Sequence, residues 1–245
     1  MAADTRPRVL SIGAVDPSAE TGVLADVRTL LDNGCEPATV LTAIATGVRG
    51  EKGVIPVSSQ VVVDQLDGLK GKEMQAMKLG MVADEATIDV VAARARGTGV
   101  PLVADPEMEL LRTSVTRQWL RAYRGAILPL STVLVVDAGE GRLLAQTNAA
   151  AHDLVRALLG LGPKWVILKA FATDNDDHED VISDGAHWYA VRSRAVAVAA
   201  RGTGDVFSAA ITAGIARGEE VPKAASAARE HVVARLEGLA SAARG

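Results

Sequence analysis

The chain has 245 residues and a net charge of −4, with acidic and basic residues interspersed. It carries no basic stripe of the kind that nucleic-acid-binding proteins use. Its longest apolar runs, such as residues 191–200, are interrupted by Arg and are too short to cross a bilayer. We therefore expect neither a nucleic acid nor a membrane among its partners.

The cysteine content and the amino-terminal residues indicate the cellular compartment in which the protein is expected. The single cysteine, Cys35, cannot form a disulfide within the chain, which fits a reducing compartment. Residues 1–8 are polar and lack the apolar core and small-residue cleavage site of a signal peptide. We expect a cytoplasmic protein.

Short β-branched runs alternate with longer Ala-rich segments that carry charges. This pattern is typical of strands joined by crossover helices, and so of a mainly parallel sheet. In chain order it predicts strand 8–12, helix 22–33, strand 38–43, helix 57–69, strand 76–79, helix 85–97, strand 102–104, helix 115–127, strand 133–136, helix 149–161 and strand 165–169. Short strands at 180–183, 187–190 and 195–198 follow, with Asp184-Gly185 as a hairpin turn, and then helices at 205–217 and 221–243.

The chain shows no internal division. No Pro/Ser-rich linker, abrupt composition shift or fixed-period repeat is present, so residues 1–245 are predicted to form one α/β domain. The acidic stretch 173–180 is a candidate for a mobile surface loop, and a plain solvated connection is the alternative interpretation.

The strongest local signal for chemistry is Arg201-Gly202-Thr203-Gly204-Asp205, which opens a helical pattern. Two glycines at a helix start let the backbone approach a ligand closely, and the unpaired N–H groups of the first turn attract an anion. Asp205 would then suit a general base that takes the proton of an acceptor hydroxyl as a phosphoryl group arrives. The alternative interpretation is that Asp205 only caps the helix.

Several short motifs occur in colinear order along nearly the whole chain. They are the string from Ile12 to Asp26 (IGAVDPSAETGVLAD), Leu41-Thr42-Ala43, Lys78-Leu79-Gly80-Met81, Asp105-Pro106-Glu107-Met108, Leu128-Pro129-Leu130, Glu179-Asp180-Val181 and Gly202-Thr203-Gly204-Asp205. Each motif is weak by itself, but this order is hard to obtain by chance. Together they resemble the hydroxymethylpyrimidine (phospho)kinases and their relatives the pyridoxal kinases, within the ribokinase-like superfamily.

The resemblance implies a ribokinase-like fold, a three-layer α/β/α sandwich around a central, mainly parallel sheet. It also implies an ATP- and Mg²⁺-dependent kinase, with a homodimer as its assembly. The acceptor would be a hydroxymethyl group on a small heterocycle, either a pyrimidine or a pyridoxal-like ring. By the same resemblance Asp205 is the catalytic base, and the amides of Gly202, Thr203 and Gly204 form an anion hole that stabilises the transferring phosphoryl group.

The resemblance also assigns binding residues. Those expected in the substrate pocket are Ala14, Asp26, Gly47, Met81 and Glu107. Those expected near the nucleotide are Asp137, Lys169 and Arg201. Those expected to hold Mg²⁺ are Glu140, through water, and Asp105. In the pocket, Asp26 would bond polar groups of the ring, and Met81 would pack on the ring face.

The sequence departs from the family pattern mainly in these sites. Gly47 stands where the family has a Gln that reads the pyrimidine edge, so we expect a changed acceptor. Ala19-Glu20 replaces Gly-Gly, Asp205 replaces the Cys usual in the pyrimidine kinases, and Glu107 replaces an apolar residue. Glu107 has two interpretations: it points to solvent at the strand end, or it recognises a positively charged atom of the substrate.

The nucleotide side departs as well. Val135-Val136-Asp137 replaces Thr-Pro-Asn, although Asp137 would still engage hydrated Mg²⁺. Lys169-Ala170-Phe171 replaces Lys-Gly-Gly, which puts a large side chain where the family keeps bare backbone and could obstruct ATP. Ala199-Ala200-Arg201 replaces Asn-Thr-His, and Arg201 either clamps a phosphate or lies on the surface.

Two functional hypotheses follow from this pattern. In the first, the protein is a kinase of the pyrimidine or pyridoxal type with a changed acceptor. In the second, it is a catalytically degenerate paralogue that binds a heterocycle or nucleotide as a sensor or interaction module. The Gly-Thr-Gly-Asp string favours the kinase, because a pure binder would gain little from a base beside a phosphate cradle.

Overall fold

The computed structural model describes residues 5–46, 53–108, 115–172, 177–196, 198 and 200–242. Its helices and strands are, in chain order, β1 (Arg8–Val15), α1 (Gly22–Asp32), β2 (Glu36–Thr46), β3 (Gly53–Pro56), α2 (Ser59–Asp67), β4 (Ala76–Leu79), α3 (Glu85–Thr98), β5 (Leu102–Ala104), α4 (Arg117–Ala126), β6 (Val133–Val136), α5 (Ala138–Ala145), α6 (Ala151–Leu159), β7 (Trp165–Ala172), β8 (His178–Ser183), β9 (Trp188–Ser193), α7 (Thr203–Ala216) and α8 (Val221–Ala242). A short 3₁₀ turn, Leu128–Leu130, follows α4.

The strands form one sheet in the order β3-β2-β1-β4-β5-β6-β7-β8-β9. The six strands from β2 to β7 in this order pair in parallel, whereas β3, β8 and β9 are antiparallel additions at the two ends. Central strands such as β4 and β6 are buried at every residue, as expected for a parallel sheet that is covered on both faces.

Helices cover both faces of the sheet. In β6 the side chains of Leu134 and Val136 join the core shared with α2 to α6, and those of Val133 and Val135 join the core shared with α7 and α8. This alternation follows from the two-residue period of a strand. Helix α1 packs beside α7 on the second face. The predicted three-layer α/β/α sandwich is confirmed.

Most elements agree with the sequence prediction. The bounds of β4, β5 and β6 are those predicted, and the predicted helices are found with ends shifted by two residues at most within the described chain. The predicted strand 195–198 is wrong: residues 195, 196 and 198 lie outside strands, because β9 already forms the sheet edge and the chain leaves it there to reach α7. Two elements escape prediction. The edge strand β3 is not recognisable from the sequence because it contains Gly53 and Pro56, which are uncommon in strands. Helix α5 is not recognisable because it is short and contains glycines.

The end of the acidic stretch 173–180 belongs to a strand. Residues 173–176 lie outside the described part of the chain, but 178–180 belong to β8. Asp180 is buried and accepts two hydrogen bonds from the guanidinium of Arg229 in α8, at 2.6 and 2.7 Å. The loop interpretation is therefore wrong for these last residues, because a carboxylate paired in the interior belongs to the fold.

No described helix combines the length and the apolar character needed to cross a lipid bilayer. The finding concerns only the described helices.

The Arg229–Asp180 pair provides a test of the packing of α8. Arg229→Ala is expected to lower the free energy of unfolding by about 3 kcal/mol, because it removes the guanidinium that donates two hydrogen bonds to the buried carboxylate of Asp180. Urea denaturation measures this value. The control is Arg192→Ala, which removes an exposed partner of Glu179 and should cost about 1 kcal/mol or less. Equal losses in the two variants would show that the buried pair has no special role.

Candidate active site

The carboxyl ends of the parallel strands meet at one edge of the sheet, the usual ligand-binding edge of open α/β sheets. Most residues singled out from the sequence lie there: Ala14 in β1, Met81 after β4, Asp105 and Glu107 after β5, Asp137 after β6 and Lys169 in β7. The amino end of α7 reaches the same edge, where it contacts side chains from β4 and β7. Gly47 and the side chain of Phe171 lie outside the described part of the structure.

A buried lysine that the sequence analysis did not assign to the site lies at its centre. Lys78, in β4, is completely buried. Its Nζ atom lies 2.6 Å from Asp26 Oδ1, 3.1 Å from Asp205 Oδ1 and 3.6 Å from Glu107 Oε1. The signal was present in the sequence, since a lysine in a short and otherwise apolar central strand must find charged partners. We call Lys78, Asp26, Asp205 and Glu107 the lysine cluster.

Burial alone would lower the pKa of Lys78, but Asp26, Asp205 and Glu107 together raise it well above its usual value. The lysine therefore stays protonated. Burial would also raise the pKa of Asp205, yet the charge of Lys78, a hydrogen bond from Glu107 and the amide of Gly22 lower it, so Asp205 stays ionised.

The other two carboxyl groups respond in the opposite direction. Burial, reinforced by the charge of Asp205, raises the pKa of Asp26 to about 6. Burial, followed in size by the charge of Asp205, raises the pKa of Glu107 well above its ordinary value. Glu107 therefore holds the proton that its hydrogen bond to Asp205 requires. One ammonium group thus faces more carboxyl groups than it can neutralise.

Asp26 has partners within the protein for both oxygens. Oδ1 accepts from Lys78, and Oδ2 accepts from the Ser11 hydroxyl at 2.6 Å. Asp26 thus holds Lys78 in place, and its expected contact with a substrate ring stays a prediction. Ala14 and Met81, also expected in the pocket, are buried, with 4% and 1% of their surface exposed.

Glu107 points inward. Its backbone is left-handed, with φ of 47°, and its side chain is 16% exposed. A side chain on Gly80 would place Cβ 2.4 Å from Glu107 Oε1, so the glycine leaves the space that the carboxyl group occupies. The interpretation of Glu107 as a solvent-facing residue is wrong.

The amino end of α7 has the form expected of an anion site. Gly202 caps the helix with φ of 72° and has no side chain that could accept the first N–H groups. A Cβ atom there would lie 1.8 Å from the carbonyl oxygen of Glu20, so only glycine fits. Asp205 is the third residue of the helix, and the interpretation of it as the cap is therefore wrong. The amides of this turn and the helix dipole favour an anion.

Lys169 adds a positive charge beside this helix start. A Cβ atom on Gly204 would lie 3.2 Å from Lys169 Nζ, which places the ammonium group against the first turn of α7. Nζ also lies 3.1 Å from Asp105 Oδ1 and 3.9 Å from Glu140 Oε2. Burial would lower the pKa of Lys169, but these carboxylates raise it, so the group remains a cation.

The residues expected to hold Mg²⁺ already form hydrogen bonds and ion pairs within the protein. Asp105 is completely buried, and its second oxygen accepts from the Ser208 hydroxyl at 2.7 Å, so it positions Lys169 instead of facing outward as a metal ligand would. Glu140 and Asp137 form a capping box at the start of α5, and Glu140 also accepts from the Met108 amide at 2.9 Å.

This arrangement fits a hydrated ion better than a directly bound one. Among the described residues, no group of three or more His, Cys, Asp or Glu side chains could hold a metal ion. Mg²⁺ usually keeps several waters and is held by one or two carboxylates together with substrate phosphates. The exposed Asp137 and the adjacent Glu140 could supply that number.

Arg201 is already paired. Its guanidinium lies 3.0 Å from Asp16 Oδ2 and 3.6 Å from Glu20 Oε2. Asp16 in turn accepts from the Ser18 amide and the Thr21 hydroxyl, so it organises the loop between β1 and α1, residues 16–21. Arg201 is exposed, as one of its two interpretations expected, and it fastens this loop to the start of α7.

Comparison with known proteins gives the family. A family profile described as phosphomethylpyrimidine kinase matches residues 16–244. The chain belongs to this family. It is 31% identical to the hydroxymethylpyrimidine/phosphomethylpyrimidine kinase of Mycobacterium tuberculosis, over 98% of this chain and 92% of that protein.

Solved structures of pyridoxal kinases are similar to this member of the phosphomethylpyrimidine kinase family. The Staphylococcus aureus enzyme in complex with AMP-PCP and pyridoxal superposes with a TM-score of 0.84 at 26% identity, over 92% of this chain and 86% of that one. An ADP complex of the Bacillus subtilis pyridoxal kinase gives a TM-score of 0.84 at 26% identity, over 92% and 90%. The predicted ribokinase-like assignment is confirmed.

The residues that depart from the family pattern contact one another in the structure. Glu107 and Asp205, which replace an apolar residue and a cysteine, are hydrogen-bonded to each other beside Lys78. Glu20 and Arg201, which replace a glycine and a histidine, form an ion pair. Random loss of a site would not be expected to change residues in contacting pairs, so this pattern indicates a modified site.

The lysine cluster provides a test of stability. Lys78→Met is expected to lower the free energy of unfolding by about 3–5 kcal/mol, because Asp26 and Asp205 are left buried without a counter-charge. Urea denaturation measures the loss. Lys70→Met, which removes an exposed partner of Asp67, should change stability by about 1 kcal/mol or less. The cluster does not stabilise the fold if Lys78→Met loses no more than this control.

The Arg201 contacts provide a second test. Arg201→Glu places a carboxylate beside Asp16 and Glu20, so amide hydrogen exchange in residues 16–21 should become faster. We expect about a fivefold change, the factor for about 1 kcal/mol from a partly exposed pair. Arg192→Glu, at the far edge of the sheet, is the control and should leave this segment unchanged. Unaltered exchange in Arg201→Glu would mean that the ion pairs do not fasten the loop.

Proposed function

We propose that this protein is an ATP-dependent kinase that phosphorylates a hydroxymethyl group of a pyrimidine or pyridoxal-like heterocycle, in vitamin B1 or B6 metabolism. One observation carries the proposal: the amino end of α7 presents bare amides next to the Lys169 ammonium group, and an ionised Asp205 follows on the same turn. The names of the relatives, hydroxymethylpyrimidine/phosphomethylpyrimidine kinase and pyridoxal kinase, support the same acceptor class.

The phosphoryl group would be bound by charge and by backbone N–H groups. The amides of Thr203 and Gly204 lie at the positive end of the helix dipole, and Lys169 adds a full positive charge. Fixed donors of this kind stabilise the negative charge that develops on a transferring phosphoryl group without having to reorganise. Bound Mg²⁺, held through water by Asp137 and Glu140, would neutralise further phosphate charge.

Asp205 would act as the base. As the acceptor oxygen forms its bond to the γ-phosphorus and the bond to the ADP oxygen breaks, the carboxylate of Asp205 takes the proton of the acceptor hydroxyl. Lys78 keeps Asp205 ionised and ready to accept it, at the cost of lower basicity. The Glu107 hydrogen bond has the same two effects.

One observation favours the alternative of a degenerate paralogue that binds a heterocycle or nucleotide as a sensor or interaction module. Asp205 is only 5% exposed and faces Lys78, so an acceptor hydroxyl has little room to approach it. Against this, the altered residues lie in contacting pairs, and Lys169 remains beside the helix start. We therefore retain the kinase as the proposal. The homodimer and the cytoplasmic location expected from the sequence also remain proposals.

The decisive experiment combines ATP binding with phosphoryl transfer. Asp205→Asn should reduce phosphorylation of hydroxymethylpyrimidine or pyridoxal by about 10²–10⁴-fold. It should still be stabilised by ATP·Mg²⁺ in a thermal shift assay, because the amides and Lys169 are unchanged. At a hundred times its Kd, a ligand stabilises by about 2.7 kcal/mol.

Asp153→Asn, an exposed carboxylate change on α6, is the matched control and should keep the parent activity. An Asp205→Asn variant as active as the parent would remove Asp205 from the role of base. A parent protein that ATP·Mg²⁺ does not stabilise would support the binding module in place of the kinase.

A further inference from the structure

The lysine cluster contains one carboxyl group more weakly held than the others. Asp26 and Asp205 lie 2.6 and 3.1 Å from Lys78 Nζ and are almost completely buried, at 1% and 5% exposure. Glu107 lies 3.6 Å away and is 16% exposed. These two nearer carboxylates already outnumber the single charge of Lys78, so Glu107 is not needed to neutralise it and can pair with another group.

The position of Glu107 is set by packing. It follows the buried Asp105-Pro106 segment with a left-handed backbone, an unusual conformation for a residue with a side chain. Its carboxyl group occupies the space left by the missing side chain of Gly80, and the backbone N–H of the next residue, Met108, donates a hydrogen bond to the Glu140 carboxylate. The carboxyl group is thus held at one place instead of moving on the surface.

That place is next to the proposed base. Glu107 and Asp205 lie within ion-pair distance of the same ammonium group and share a hydrogen bond. An acceptor whose hydroxyl reaches Asp205 must therefore bring its neighbouring atoms close to Glu107. A neutral ring offers no charge that could pair with the carboxylate form of Glu107, whereas a positive charge would pair with it.

On the basis of the proposed function, we propose that Glu107 selects acceptors that carry a positive charge close to the hydroxymethyl group, such as a primary ammonium group. A bound cation favours the ionised form of Glu107, which burial and Asp205 otherwise disfavour. The apolar residue found at this position in the family pattern could not do so. Glu107 is thereby a specificity residue of the acceptor pocket.

A matched pair of acceptors tests this selectivity. Pyridoxamine and pyridoxine share the ring and the hydroxymethyl group, and differ in one substituent, which is an ammonium-bearing methylene in the first and a hydroxymethyl in the second. Calorimetric Kd values and kcat/KM should favour pyridoxamine at least about tenfold in the parent protein. Glu107→Gln, which keeps the shape and removes the charge, should abolish the preference, and Glu107→Val should reverse it.

Glu230→Gln, the same chemical change at an exposed position on α8, is the control and should keep the parent ratio. Circular dichroism and the thermal shift with ATP·Mg²⁺ report whether each variant is folded. A parent protein that binds both acceptors equally, or a folded Glu107→Gln variant that keeps the preference, overturns the selectivity while leaving the kinase proposal standing. If ATP·Mg²⁺ binds but neither acceptor does, the proposed acceptor class fails, and the selectivity fails with it.

Discussion

The ammonium group of Lys78 joins three parts of the chain that are distant in sequence. It lies in the middle of the sheet, and its carboxyl-bearing partners come from α1, from the segment after β5 and from the first turn of α7. Because an unpaired charge is costly in the interior, these elements must stay close together for the lysine to be tolerated. The orientation of α7, and with it the anion site at its amino end, depends on this contact.

A second, partly buried lysine repeats the arrangement at the proposed nucleotide side. Lys169 is held by Asp105 and lies near Glu140, and it reaches the same helix start beside Gly204. Each lysine keeps its charge because carboxylates outweigh the effect of burial on its pKa. One lysine adjusts the proposed base, and the other provides charge for a phosphate, so two similar ion clusters support different steps of the proposed transfer.

The altered positions are understandable once their contacts are known. Taken singly, Glu20, Glu107 and Arg201 look like losses of family features. In the structure Arg201 binds the loop that Glu20 belongs to, and Glu107 joins the cluster that holds Asp205. The changes therefore give the loop between β1 and α1 a charged attachment and give the acceptor end of the site an additional carboxyl group.

The sequence by itself determined the layers of the fold and the helix start that bears Gly202 to Asp205. Strand and helix periods are local properties, as is the left-handed cap that needs a glycine. It did not reveal the place of Lys78, the inward direction of Glu107 or the partners of Arg201. These were decided by the tertiary structure, because each depends on charges brought together from distant segments. Lys78 and Asp205, for instance, are 127 residues apart in the chain and 3.1 Å apart in the fold. A sequence pattern records which side chains carry charge, but only the packing of the elements determines which of those charges are buried together.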